Sequence, residues 1–217
     1  MNQERQGVAW LVDGFNLYHS LQICGREKPG VGLKWLNLVQ LATEHLSVIG
    51  PEATLDELRY YTALPHHLAS VEPARLARHE AYLRALTAWR PETKISLGHF
   101  QSHQMGEQRI WREKGTDVAI TTDAMELAMD EKVRHIVIVS GDADYVPLAE
   151  VIQRRFKDLT LHFAFPASRV SRRLRALCPG SFTLTEESYR RCQFPESVRL
   201  PSGRYVHCPK EWRRAAN

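Results

Sequence analysis

Three short apolar runs constrain what this chain can fold into: "VAWLV" (8–12), "HIVIVS" (135–140) and "LTLHFAF" (159–165). Runs of this length read as strands rather than helices, and little alternation interrupts them. Strands of that kind are buried on both faces, which calls for helices above and below a parallel sheet. The segments between them have helical period. "PARLARHEAYLRALTAW" (73–89) is amphipathic, with Pro73 in its first turn and a pattern that ends before Pro91. "LKWLNLVQLATEHL" (33–46) sets Leu36, Val39, Leu41 and Leu46 close to one stripe. "TDVAITTDAMELAMDEK" (116–132) reads as a helix with Thr116 as N-cap, and "SRVSRRLRALC" (168–178) as a basic helix. "DYVPLAEVIQRRF" (144–156) is helical too, because Pro147 falls in a first turn where its missing N–H costs nothing. "LDELRYYTAL" (55–64), "KISLGHFQ" (94–101) and the short "SFTLT" (181–185) add strands. The expected fold class is α/β, with a mostly parallel central sheet and helices on both faces.

A chain of 217 residues can bury one sizeable core and is short for two full domains. "RLPSGRYVHCPKEW" (199–212) reads as a small hairpin or tail folded on the domain, or as a flexible extension. No apolar run approaches a membrane span, and the first residues lack a signal-peptide pattern, so a cytoplasmic protein is expected. Cys24, Cys178, Cys192 and Cys208 form no C-x-x-C pair and read as reduced thiols. A zinc site from Cys192, His207 and Cys208 is the alternative, although adjacent His and Cys make poor ligand spacing.

Functional groups in open α/β sheets collect at the carboxyl ends of the strands. Asp13 directly follows "VAWLV", and Asp142 and Asp144 follow "HIVIVS" after one glycine. Asp117 opens the helix after "KGTD". If the strands before Asp13 and Asp142 are neighbours, all four acids reach one cleft. Grouped carboxylates raise one another's pKa unless a cation compensates, and a set of oxygen ligands suits Mg²⁺ or Mn²⁺. Singly, each of these aspartates is also what a helix N-cap requires. Gly14 and Gly141 suit sharp strand-to-loop turns. Asn16 orients Asp13, contacts a phosphate or caps the first helix, and Ser140 can donate a hydrogen bond into the cleft. Asp123 lies six residues beyond Asp117, about 600° around a helix, and is a secondary candidate.

Charge is distributed unevenly. Residues 152–217 carry 14 Lys+Arg against 5 Asp+Glu, whereas residues 1–151 carry 15 against 20. An acidic front and a basic C-terminal third suit a protein that gathers acids in a cleft and grips a polyanion beside it, although a basic helix is also an ordinary solvated face.

"LVDGFNLYHS", "KGTDVAITTDAMELAM" and "IVIVSGDADYVPLAEVI" occur in this order and closely resemble the NYN domain, a branch of the PIN-like nuclease superfamily. The resemblance spans about residues 7–165. It implies a PIN-like three-layer α/β/α sandwich around a mostly parallel central sheet, and a metal-dependent ribonuclease with an acidic pocket. Residue by residue, Asp13 matches the acid and Asn16 the asparagine of the first-strand motif. Asp117 matches the acid of the middle motif, and Asp142 and Asp144 the pair in the last. The implied organisation is an NYN domain over 1–166, with 167–217 forming a basic helix, a short strand and a tail on or beyond it. The implied partner is RNA, single-stranded by expectation, and the implied cofactor is Mg²⁺ or Mn²⁺. Lys114, Arg112 and Arg109 before the Asp117 helix, and Arg169, Arg172, Arg173 and Arg175 after it, are the expected backbone contacts. Trp111 and Tyr145 either stack on bases or pack within the protein.

Three other readings remain open on the sequence. One is a non-catalytic RNA-binding or scaffold module on a PIN-like fold. Another is a phosphatase using the D-x-D of Asp142 and Asp144, with an aspartate nucleophile. The third is an interaction protein pairing through its amphipathic helices; a homo-oligomer is compatible with the sequence but not assigned by it.

Overall fold

The computed structural model describes residues 6–27, 32–106 and 108–213. The chain begins β1 (Gln6–Asp13), α1 (Gly14–Glu27), α2 (Leu38–Glu44), α3 (Leu46–Ile49), β2 (Ala53–Thr62) and α4 (Pro73–Trp89). It continues β3 (Lys94–Leu97), β4 (His99–Met105), β5 (Gln108–Lys114), α5 (Thr116–Asp130), β6 (His135–Val139) and α6 (Val146–Arg155). It ends β7 (Thr160–Phe165), α7 (Arg172–Leu177), β8 (Phe182–Thr183), α8 (Glu186–Arg191), β9 (Ser197–Arg199) and β10 (Tyr205–His207). Six strands make one sheet in the order β3-β2-β1-β6-β7-β8, and every pairing in it is parallel. Among the described residues no helix is long and apolar enough to cross a membrane.

Side-chain alternation along the apolar strands builds two cores, one on each face of the sheet. Val8, Trp10 and Val12 of β1 point to a core shared with Leu17 of α1, Leu41 of α2 and Leu86 of α4. Ala9 and Leu11 point the other way, to Ile120 of α5, Ile152 of α6 and Leu174 of α7. Burying one such Leu or Ile side chain contributes about 1.5–3 kcal/mol, so β1 and β6 anchor both layers at once.

The helix expected over 33–46 begins only at Leu38. Asn37 caps it by accepting the backbone N–H of Gln40 at 3.1 Å, while Trp35 Nε1 donates to the Pro195 carbonyl at 2.8 Å and Leu36 bridges Gln193, which ties the preceding residues to the C-terminal segment. Gly115, not Thr116, caps α5; its φ of +98° lies in the left-handed region that suits glycine, and the Thr116 N–H goes to the Glu113 carboxylate at 3.2 Å. The basic helix shortens to α7 because Ser168 has φ +63° and Ser171 supplies the cap. The strand expected over 94–101 is cut in two at Gly98. There the chain leaves the sheet and enters the antiparallel β4–β5 hairpin, a feature without the apolar alternation that would announce it. The hairpin expected near the C-terminus is β9–β10, and it places Val198, Val206 and Trp212 in the core under α4. β8 adds the sixth strand beside β7.

Gly98 joins sheet to hairpin at close range. A Cβ there would lie 2.6 Å from the Lys114 carbonyl oxygen. Gly98→Val is expected to destabilise the fold by about 1–3 kcal/mol through overpacking. Thermal unfolding should show a Tm lower by several degrees, at roughly 2–4 °C per kcal/mol for a domain of this size.

Candidate active site

β1 and β6 are neighbours, with Val12 opposite Val139. The next residues, Asp13 as the last of β1 and Ser140 just beyond β6, therefore lie side by side at the carboxyl end of the sheet. Strand order reverses at this seam, and in open α/β sheets a crevice forms at such a switch point.

Asp13 is 4% exposed. Its Oδ1 accepts the backbone N–H of Asn16 at 2.9 Å, and its Oδ2 accepts the Ser140 hydroxyl at 2.9 Å. The Asp142 N–H donates to Ser140 Oγ at 3.1 Å, and the Asp144 N–H to Asp142 Oδ1 at 3.0 Å. Asp142 thus caps the single 3-10 turn of Ala143–Tyr145. Tyr145 is buried and donates its hydroxyl to Asp117 Oδ1 at 2.9 Å, which ties the start of α5 to the end of β6. Burial, followed by the charges of Asp13 and Asp117, drives the Tyr145 pKa far above its usual range, so the phenol stays a donor.

Burial pushes the Asp13 carboxyl up to about 6; the Asn16 N–H and the Ser140 hydroxyl oppose the rise, and the charges of Asp117 and Asp142 add to it. Asp13 therefore feels both Asp117 and Asp142 across the crevice. Asp144 is exposed, in the turn that Asp142 caps. Among the described residues, no group of three or more His, Cys, Asp or Glu side chains is placed to hold a metal ion.

Asn16 serves its side chain elsewhere. Its Oδ1 accepts the Gly141 N–H at 3.0 Å and the Arg169 Nε–H at 3.0 Å. Arg169 thereby comes from the loop after β7 to the rim of the acidic crevice. A Cβ on Gly141 would sit 1.6 Å from the Arg169 carbonyl oxygen, which is why this turn takes glycine. Asp123 is held away from the cluster, its Oδ2 accepting the Tyr61 hydroxyl at 2.6 Å and facing Arg59 at 3.1 Å.

The other basic candidates spread out. Lys114, Arg112 and Arg109 lie along β5, and all three are exposed. Arg172 is exposed on α7, Arg173 pairs with Glu150 at 3.2 Å, and Arg175 bonds Thr183 at 2.7 Å above the Phe165 ring. Trp111 stacks on His67 with 4.4 Å between centroids and stays 39% exposed. All four cysteines are free and buried, and the residues of the zinc alternative have separate partners: Cys192 faces Glu44 at 3.3 Å, His207 meets Ser197 at 2.8 Å, and Cys208 meets the Pro209 carbonyl at 3.6 Å. The Tyr145–Asp117 bond and the reach of Arg169 to Asn16 carry no signal in local sequence, since each joins distant segments.

The sequence model of the NYN domain matches residues 7–186. The chain belongs to the NYN domain family. NYN domains sit within the PIN-like superfamily and are in general nucleases acting on RNA. The match runs through β7, α7 and β8, further toward the C-terminus than the three motifs reach. The fold is also that of a crystal structure of a protein of unknown function from Vibrio parahaemolyticus, with a TM-score of 0.57 and 22% identity over 86% of this chain and 98% of that one. No curated protein matches the chain.

The raised pKa of Asp13 in this NYN domain has a consequence for stability. A carboxyl whose folded pKa exceeds its unfolded value of 3.8 favours the fold only while protonated; that contribution is full below about pH 4 and lost as pH rises through about 6. Without added metal, Asp13→Asn is therefore expected to raise the Tm by several degrees at pH 8 and by little at pH 4. Thermal unfolding of both proteins across pH, in EDTA, checks this.

Proposed function

We propose that this protein is a metal-dependent ribonuclease that hydrolyses RNA phosphodiester bonds at the crevice of Asp13, Asp117, Asp142 and Asp144. The observation that carries the reading is that Asp13, at the end of β1, feels the charges of Asp142 after β6 and of Asp117 at the start of α5.

The donor chemistry fits Mg²⁺ or Mn²⁺, since all four candidate ligands offer hard carboxylate oxygens. Mg²⁺ keeps several waters and takes one or two carboxylates plus substrate phosphate, so an open crevice suits it better than a closed cage. When bound, such an ion would lower the pKa of a water and stabilise charge on the leaving oxygen. The chain's own residues set the geometry. Ser140 and the Asn16 N–H fix both oxygens of Asp13, and Tyr145 fixes one oxygen of Asp117. Asp142 and Asp144 sit in the adjoining turn. Arg169, positioned by Asn16, would pair with a phosphate at the rim, and Arg172 and the β5 cations would extend that contact along the backbone.

Cleavage of single-stranded RNA is expected with Mg²⁺ or Mn²⁺ and lost in EDTA. Asp142→Asn should lower kcat by about 10²-fold or more while far-UV circular dichroism stays unchanged. Equal rates for the native and Asp142→Asn proteins, both free of contaminating nuclease, would sink the proposal. Loss of cleavage in Asp142→Asn with RNA binding intact separates the enzyme from the alternative, a non-catalytic RNA-binding module.

RNA affinity should fall with salt. Replacing Arg169 and Arg172 together by Ala should reduce the slope of log affinity against log salt by roughly 0.7 for each phosphate that the protein no longer neutralises. A filter-binding titration in EDTA reads the slope directly.

A further inference from the structure

A cavity of about 170 Å³ opens beside the acidic crevice, between α1, the end of β2 and α4. A single water needs only about 10–15 Å³, so there is room for a planar ring. Cavity and crevice share a wall: Gly14, directly after Asp13, lines the cavity together with Thr62 at the end of β2. Tyr60, another lining residue, feels the Asp13 charge, and His19 feels that of Arg169.

The lining is aromatic, with cations at one side. Phe15 and Phe100 meet edge to face at 5.6 Å on the wall nearest the hairpin. Tyr18, His79 and Trp212 line the cavity as well, with His79 5.8 Å from Tyr18 and 5.7 Å from Trp212. Lys34 Nζ lies 4.6 Å over the Tyr18 ring and 3.1 Å from its hydroxyl, and Arg75 is half-exposed at the same side. Burial, with Arg75 and Lys34 adding to it, pushes His79 down to about 4. Its imidazole is therefore neutral near pH 7 and offers one donor and one acceptor.

We propose that this cavity receives one unpaired base of the RNA adjoining the bond to be cut, with Lys34 and Arg75 taking a neighbouring phosphate. The inference rests on the ribonuclease reading for the identity of its ligand. A purely apolar ligand would make no use of two cations and a neutral imidazole. A nucleotide uses all three kinds of group: ring faces for stacking, an imidazole for a base edge, and cations for phosphate. The aromatic pocket also supplies attraction that the acids beside it cannot, since carboxylates repel a phosphate backbone. A base in a closed duplex cannot enter such a pocket, so the site selects unpaired RNA.

The test is binding in EDTA, where no cleavage occurs, using short single-stranded oligoribonucleotides and, separately, nucleoside 5′-monophosphates. Ala63 is buried and lines the cavity, so Ala63→Leu fills it from within. His79→Ala removes the imidazole, and Arg75→Ala changes a half-exposed side chain without touching the core. Each variant should bind the oligoribonucleotide roughly tenfold more weakly, and His79→Ala should alter the base preference next to the cleaved bond. Native affinity and base preference in Arg75→Ala and in a folded Ala63→Leu would overturn the proposal, as would tight binding of the monophosphates without binding of the oligomers. The two readings fail separately. Pocket-dependent binding by a protein that never cuts RNA leaves the cavity assignment and removes the nuclease. Asp142-dependent cleavage unaffected by the three pocket variants does the reverse.

Discussion

The site depends on one parallel register. Val12 lies opposite Val139, and the next residue in each case is the one that matters: Asp13 at the end of β1 and Ser140 directly after β6. The Ser140 hydroxyl donates to Asp13 and accepts from the Asp142 N–H, so a single oxygen links the ends of two strands that are 127 residues apart in sequence. A slip of one residue in this pairing would turn every side chain of one strand to the opposite face of the sheet. Both cores prevent it, because β1 is buried on both faces and its two sets of side chains fill different layers.

Burial and charge at the crevice oppose each other. The Asp13 carboxylate is removed from water and faces other acids, yet two hydrogen-bond donors are aimed at its oxygens. The result is a carboxyl that the metal-free fold holds at some cost above about pH 6. Tyr145 has a complementary role. Its hydroxyl, kept protonated by its surroundings, fixes Asp117 at the start of α5 against the turn after β6.

Under the proposed reading, the crevice and the aromatic cavity would divide the work of handling RNA. Carboxylates would serve chemistry at phosphorus but repel the chain that carries it. Rings and cations beside them would hold that chain, and Arg169 is anchored on Asn16 at the rim of the crevice. From the C-terminal third, Trp212 lines the cavity, while β8 extends the sheet at its β7 edge.

Much of this was legible before any fold was known. Uninterrupted apolar runs at 8–12 and 135–140 can only be strands covered on both sides, and acids placed directly after them must emerge at strand ends. Pro147 in a first turn and the hairpin near residues 199–212 are local features, set by backbone geometry that neighbouring residues dictate. What local pattern could not supply is everything that depends on distant partners. Asp123 looks like a further acid until Tyr61 and Arg59 arrive from β2 to engage it. Gly98 looks like part of a strand until the Lys114 carbonyl occupies the space beside it. Thr116 looks like a cap until Gly115 takes the left-handed turn. The amino-acid order by itself determined the layers and the acids that reach the sheet's carboxyl edge, because periodicity and burial act over a few residues. Only the tertiary structure decided which acids face one another and that an aromatic cavity lies beside them, because those contacts join segments whose separation in sequence carries no information about their distance in space.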